Sequence, residues 1–390
     1  MRRFFTTLVL VTAVIALCST SFAASNHYLV TNDDNAFAPN TASVFTISGT
    51  TLTLKTAVST GGQGFGGGYF ADNRASVAHS MKYGNCLYVS DAGTNDIAGI
   101  DLNTLTVTGL FTGSSGDNGQ SLGIGLTTKV NYLYANYTAS ETIATFTEHA
   151  GCILKFLGDI GPTAGLNGGA LAGLQAHLGV MVGAFADGSY QSWNVSKGMP
   201  VSNNDLQLSA GFGQFGCVDT GVDVTADAKW AIFGAACATP IVEVAPISSS
   251  GVGASTVTAV GSGINSNNVW LSPDESIIYV SNNSSGQATG VLFNKSTGQL
   301  GATCTSGVFK NFGTDYFFTA GEVTRDTTGN GGQLYVAESG GAQGFNAVAI
   351  VDVTTGGGSC TLAEDSSSPA LDTAATSFML SVAANPARKF

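Results

Sequence analysis

Val269-Trp270-Leu271-Ser272-Pro273-Asp274-Glu275-Ser276-Ile277-Ile278-Tyr279-Val280-Ser281-Asn282-Asn283 is the stretch on which the fold turns. An apolar run with an aromatic meets a polar Pro-Asp step, and a second apolar run ends in Ser and Asn. Proline presets φ for a turn and Asp can bond the backbone ahead of it, so the middle reads as a turn between two strands. Thr289-Gly290-Val291-Leu292-Phe293 and Ser296-Thr297-Gly298-Gln299-Leu300 follow and complete a unit of four short strand-like runs. β-Branched and aromatic residues bounded by Gly, Asn, Asp and Ser are strand and turn signals.

The unit recurs. Its second apolar run has counterparts centred on Tyr28, Tyr88, Tyr134, Val182, Ala231 and Tyr335, besides Tyr279. Steps between these centres are 60, 46, 48, 49, 48 and 56 residues, a mean of 307/6, or about 51. Such a period lies near the ~40–50 residues of a propeller blade. No segment carries a sustained 3.6-residue apolar period with caps; Gly168–His177 comes nearest, and three glycines weaken it. The prediction is therefore an all-β, seven-bladed β-propeller. The ends suggest how the ring closes. Phe378-Met379-Leu380-Ser381-Val382 reads as a strand and 385–390 as a turn, while Tyr28-Leu29-Val30-Thr31-Asn32 supplies the run that should follow. Pairing the C-terminal strand with the N-terminal blade would leave no open edge; a trailing tail over 366–390 is the competing reading.

Composition agrees. The 390 residues include 52 Gly but only 10% charged side chains, against roughly 7% Gly and 25% charged residues in an average domain. Hydrophobic residues at 44% exclude a disordered chain, and a net charge of −12 speaks against nucleic acid. Length alone would suggest two or three domains, yet β-rings exceed that rule as single domains.

Arg2 and Arg3, the apolar stretch Phe4 to Cys18, and Ser21-Phe22-Ala23 form the pattern of a secretory signal peptide over 1–23. The apolar stretch is too short for a comfortable membrane span of about 20 residues. A lipoprotein anchor at Cys18 is disfavoured by Leu17, which stands where a small residue belongs. Cleavage removes two positive charges and no negative ones, leaving −14 on a single domain over 24–390. Six cysteines remain (Cys86, Cys152, Cys217, Cys237, Cys304 and Cys360), which in a secreted chain permit 15 full pairings. Cys217 with Cys237, within one repeat, is the first pairing expected; buried free thiols are the alternative for the rest. No C-x-x-C occurs.

The repeats carry a resemblance. Pro273-Asp274 with Ile278-Tyr279-Val280-Ser281-Asn282, and Leu87-Tyr88-Val89-Ser90-Asp91-Ala92-Gly93-Thr94-Asn95-Asp96-Ile97, resemble the YVTN-type seven-bladed propellers, which include phosphogluconolactonase and carboxymuconate-cyclase-like lactonases. The resemblance implies a propeller more firmly than an activity. Where the lactonase pattern places paired histidines, this chain has Arg74 and Ser76, with His79 offset. Gly321-Glu322-Val323 matches the pattern's glutamate, but Glu338-Ser339 stands where an arginine is expected, and Arg325 is the nearest substitute.

Glu322, Arg325 and His79 are thus the candidate catalytic residues if the protein is an enzyme: a general base, and an arginine to hold a carboxylate. An ion pair at the channel mouth is the plainer reading of Glu322 and Arg325. His149 and His177 read as surface-loop residues. Gly119-Gln120-Ser121-Leu122-Gly123 and the run Gly62–Gly67 mimic a nucleophile elbow and a dinucleotide loop, but neither has the required helix; the second reads as a flexible loop. Asn32-Asp33-Asp34-Asn35 and Asp117-Asn118 offer oxygen ligands without a calcium-loop spacing, so turn formation explains them. Sequons at Asn136, Asn194, Asn282, Asn283 and Asn294 fit surface turns. No cofactor or metal is expected. The reading is a secreted, monomeric binding or scaffold protein using the loops of one face for a protein, glycan or small-molecule ligand, with a lactonase as the alternative.

Overall fold

The computed structural model describes residues 28–66, 77–80, 82–117, 122–126, 131–161, 163–215, 217–236, 239, 241–260, 269–282, 285–311, 318–325, 332–338, 346–376 and 381–385. For His79 and for 122–126, 215, 218–220, 236, 282, 318–325 and 381–385, the backbone alone is described.

Seven antiparallel sheets form a ring. Six have their first strands at Val77–His79, Leu122–Leu126, Leu171–His177, Val218–Val224, Val269–Leu271 and Phe318–Arg325, and each continues outward in chain order. The remaining sheet, blade one, takes its first strand from the other end of the chain. Ser381–Asn385 pairs with Tyr28–Asn32, from Tyr28 opposite Asn385 to Asn32 opposite Ser381. The ring is therefore closed by the C-terminal strand, as the ends of the sequence suggest. Asn385, assigned to a turn by sequence, lies within that strand. First strands contact one another in a closed circuit and so line the central channel. The fourth strand is broken into two pieces in blades four, five and seven.

All seven repeat centres fall in second strands, and all seven are buried. The reason is geometric. A second strand is covered on both faces by neighbouring blades, so alternate side chains serve two different cores. Leu29 packs with Tyr335, Ile350 and Ala370 of blade seven, whereas Tyr28 and Val30 pack with Leu87, Val89 and Ile100 of blade two. The hydrophobic core is thus a set of wedges between blades. Leu171–His177 is one of the first strands: its side chains join a wedge with Tyr134, Met181 and Trp193, so tertiary burial settles the nearest helical candidate as β. A six-residue helix, Ala210–Phe215, joins blades four and five, with Ser209 Oγ accepting from the Phe212 amide.

The Pro-Asp turn forms as read. Ser272 Oγ donates to Asp274 Oδ1 at 2.7 Å and accepts from the Ile277 amide at 3.0 Å.

Two disulfides cross blade boundaries. Cys86–Cys152 joins the second strand of blade two to the turn before the fourth strand of blade three. Cys304–Cys360 joins the fourth strands of blades six and seven. These four are not the free thiols that the sequence allowed. Cys217 is buried and disulfide-bonded too; its expected partner, Cys237, lies outside the described residues. No helix among the described residues is long and apolar enough to cross a membrane.

Two further expectations are corrected. His177 ends a first strand at 2% exposure rather than sitting in a surface loop. Asn136 is wholly buried, because its amide donates to the Leu171 carbonyl and ties blade three to blade four. His149, Asn194 and Asn294 are exposed, as expected.

Candidate functional site

The backbone brings the three sequence candidates to one channel. Arg325 ends the first strand of blade seven opposite Gly332, and Glu322 lies in a bulge of that strand between the Ala320–Val336 and Val323–Leu334 pairs. His79 ends the first strand of blade two opposite Leu87. Only the closing strand Ser381–Asn385 separates these two first strands, and it contacts both. His79 and Arg325 both stand where a first strand turns into a second, so they share one mouth of the channel; Glu322 lies three residues deeper. Their side chains lie outside the described residues, as do Arg74, Ser76 and the Ser121 of the elbow-like match. The described half-buried positions on first strands are uncharged: Val77, Ala78, Ala172, Gln175, Val222 and Trp270.

The opposite mouth, where second strands turn into third strands, is the more elaborately built. Its turn in blade one, 33–40, rests on a dense base. Asp34 accepts from the Phe65 amide and from the Gly66 amide at 2.9 Å. Asn35 Oδ1 accepts from the Thr376 amide and hydroxyl, both at 2.7 Å. Asn40 Nδ2 donates to Asn32 Oδ1 at 2.9 Å and to Asp91 Oδ1 at 2.7 Å. The Gly64 amide donates to the Asn35 carbonyl, so 61–66 is a fastened segment and not the flexible loop expected from its glycines. Above this base stands Phe37, 98% exposed, with exposed Ala38 and Pro39 beside it. Sequence reasoning passed over Phe37. Its signal was a solitary aromatic in Asn35-Ala36-Phe37-Ala38-Pro39-Asn40, where no strand partner could cover it.

Acidic groups crowd the same mouth, and burial sets their behaviour. Asp33 is wholly buried, and desolvation, then the nearby Asp372 charge, push its carboxyl well above the usual range against bonds from Thr41, Thr31 and Ser43. Asp91, also wholly buried, is pushed up to about 8, chiefly by desolvation, although Asn40 and Thr60 donate to it. Asp96 is raised by desolvation as well. Glu338 is 2% exposed, and burial followed by the Glu364 charge lifts it to about 8 against a bond from Asn311. A buried acid of that kind is neutral at pH 7. Asp187, at the blade-four turn, differs. Three backbone amides and the Ser189 hydroxyl hold it below the ordinary value despite some desolvation. Asp34 and Asp117 likewise cap turns, the latter accepting from the Ser114 amide and the Thr142 hydroxyl. Turn formation therefore accounts for these two, as the sequence reading held. Among the described residues, no group of three or more His, Cys, Asp or Glu side chains is arranged to hold a metal ion.

No family model and no curated protein matches the chain. Solved structures do. A putative 6-phosphogluconolactonase from Bacteroides uniformis superposes with a TM-score of 0.52 at 15% identity, over 72% of this chain and 81% of that one. A functionally unknown protein from Desulfotomaculum acetoxidans gives 0.57 at 12% identity, over 83% and 94%. The β-propeller domain of Myceliophteria thermophila Cps50 (Swd1) gives 0.51 at 13%, over 71% and 82%. The likeness is one of fold. Propellers described as lactonases and propellers of other kinds match equally well, so the site has to carry the functional argument.

Proposed function

We propose that the protein is an exported, monomeric, single-domain propeller over 24–390 that binds a partner through the loops of the mouth where second strands turn into third strands. Phe37 carries this reading. An aromatic held 98% exposed on a base fixed by side-chain and backbone hydrogen bonds is preorganised to enter a partner's pocket. Aromatic anchors dominate binding energy, and a rigid loop loses little freedom on binding. The inter-blade disulfides support an oxidising, extracellular or periplasmic setting.

A second reading is a lactonase or lactonising enzyme with Glu322 as base, Arg325 as carboxylate anchor and His79 assisting. It is favoured by the first strands of blades seven and two flanking the closing strand, and by the fold shared with a putative 6-phosphogluconolactonase. Against it stands Glu338. Where the lactonase pattern calls for an arginine, a buried acid offers an anionic substrate no positive charge.

Two measurements separate the readings. Quantitative crosslinking of the mature protein to components of its own secretome, alongside Phe37→Ala, should recover a partner that the variant loses, with unchanged melting. Hydrolysis of aldonolactones or muconolactones by the wild type, abolished in Glu322→Gln but not in Phe37→Ala, would overturn the binding reading in favour of the enzyme.

A further inference from the structure

The turn between the second and third strands of blade two brings three oxygens to one point. A Cβ placed on Gly62 would meet Asp91 Oδ2 at 2.5 Å, Asp96 Oδ1 at 2.7 Å and Thr94 Oγ1 at 2.7 Å. The oxygens therefore surround a small volume beside the Gly62 backbone, and only a residue without a side chain leaves that volume to them.

Among the described residues no other group donates to Asp91 Oδ2 or Asp96 Oδ1, and the two carboxyls meet each other instead, with Asp91 fully buried and Asp96 7% exposed. Asp91 is not free to turn away. Its other oxygen accepts from Asn40 Nδ2 at 2.7 Å and Thr60 Oγ1 at 3.0 Å, which aims Oδ2 at Asp96. Thr94 is fixed as well, because its hydroxyl oxygen accepts from the Gln63 amide at 3.0 Å. Two buried carboxylates facing each other cannot both stay ionised unless something positive lies between them. That something is a proton or a metal ion.

We propose that Asp91, Asp96 and Thr94 form a binding site for a hard divalent cation, calcium above all. Carboxylate and hydroxyl oxygens are the ligands such an ion takes. Two carboxylates neutralise its charge, and among the described residues no nitrogen or sulfur ligand joins them to favour a softer metal. Gln63, Gly93 and Thr94 form an exposed roof, so the ion has a short entry path and water can complete its shell. On binding, the ion replaces the proton shared by the two carboxyls, and that proton leaves to solvent. The site also has a structural consequence. Through Asn40 and Thr60 it ties blade two to blade one, the blade that closes the ring.

The test is calcium uptake by the EDTA-treated mature protein, measured by equilibrium dialysis and by melting. One calcium per chain with Kd of about 10⁻⁴–10⁻³ M is expected, as in extracellular calcium modules, with magnesium bound more weakly. Uptake should weaken at least tenfold between about pH 8 and pH 5, as protons compete. Asp96→Asn removes one charged ligand and should weaken uptake at least tenfold. Gly62→Ala keeps every charge but fills the volume between the oxygens, and should do the same. Each variant is compared with the wild type by its calcium-free melting, which identifies loss of folding separately from loss of the ion. No stoichiometric uptake by the wild type up to about 10 mM calcium would overturn the proposal and leave the shared proton as the occupant. Uptake unchanged in both folded variants would overturn it too, by placing the ion elsewhere.

Discussion

Replacing Cys86 and Cys152 together by alanine measures what an inter-blade cross-link contributes. The bond closes a loop of 66 residues. In the chain-entropy description, the loss of denatured-state freedom is about 2.1 + 1.5R ln 66, or roughly 15 cal/mol/K, which is about 4.3 kcal/mol at 25 °C. Unfolding entropy of about 2.1 cal/mol/K per residue over some 360 residues gives roughly 0.76 kcal/mol/K, so the melting temperature should fall by about 6 °C. Differential scanning calorimetry of wild type and the Cys86→Ala/Cys152→Ala variant, both without reductant, reads this directly. The second bond supplies a strict control. Cys304–Cys360 closes 56 residues, and because the dependence is logarithmic its removal should cost only about 0.15 kcal/mol less. If one pair proved several kcal/mol more valuable than the other, local packing would govern their contribution and the loop-entropy reasoning would be refuted. The same follows if both variants melted with the wild type.

Burial raises Glu338, Asp91 and Asp33 in the folded chain. The folded state then holds protons that the unfolded state releases, so stability should be greatest below about pH 4 for these groups and fall as pH rises towards about 8. For Glu338 the loss at pH 7 is on the order of 3 kcal/mol, and in Glu338→Gln the denaturation midpoint should depend less on pH between about 5 and 8. Expression in a glycosylating host should place glycans on Asn194 and Asn294 but not on Asn136, which mass spectrometry of tryptic peptides would show; Asn136→Ala should cost about 1–3 kcal/mol by leaving the Leu171 carbonyl without its donor. Gly298 has φ of +74° and a Cβ there would lie 2.4 Å from the Trp230 ring, so Gly298→Ala should destabilise by about 2 kcal/mol or more in guanidinium titration, through strain and overpacking together.

Blade number and closure were legible in the sequence because they depend on features that repeat. A second strand is buried on both faces, so it must be an unbroken apolar run, and Tyr28, Tyr88, Tyr134, Tyr279 and Tyr335 mark it five times. Val182 and Ala231 mark the same position by spacing alone. The disulfides were not legible, because Cys86 with Cys152 and Cys304 with Cys360 meet across blade boundaries that only the rotation between blades brings together. His177 and Asn136 misled for a related reason: their polarity suggested surface, while neighbouring blades cover them. The candidate site was legible only in part. The backbone sets Glu322, Arg325 and His79 at one channel, yet the more constructed mouth is the opposite one, where Asp91 and Asp96, five positions apart, stood out only as part of the repeat motif Leu87–Ile97. Their convergence on Gly62 depends on a loop from another blade.

That mouth also explains why the closing blade is so polar at one end. Apolar wedges hold neighbouring blades together but tolerate small slides, since dispersion contacts have little directional preference. Hydrogen bonds do not tolerate them. Between blades seven and one, the Thr31 hydroxyl lies 2.7 Å from Asp33 Oδ1 and 3.0 Å from Asp372 Oδ2, while the Ser43 hydroxyl lies 2.8 Å from Asp33 Oδ2 and 2.9 Å from Asp372 Oδ1. Each hydroxyl has a single proton, so two of these four contacts lack one. A protonated Asp33 supplies it to one of them, in agreement with its raised pKa. Between blades one and two, Asn32 donates to the Ser90 carbonyl, and Asn40 and Thr60 donate to Asp91. The blade assembled from both ends of the chain is thus bounded on either side by buried bonds that specify its register. A purely apolar seam would be less sensitive to pH but would leave that register to packing alone. The raised carboxyls are the electrostatic cost of a ring whose last strand has one place to go.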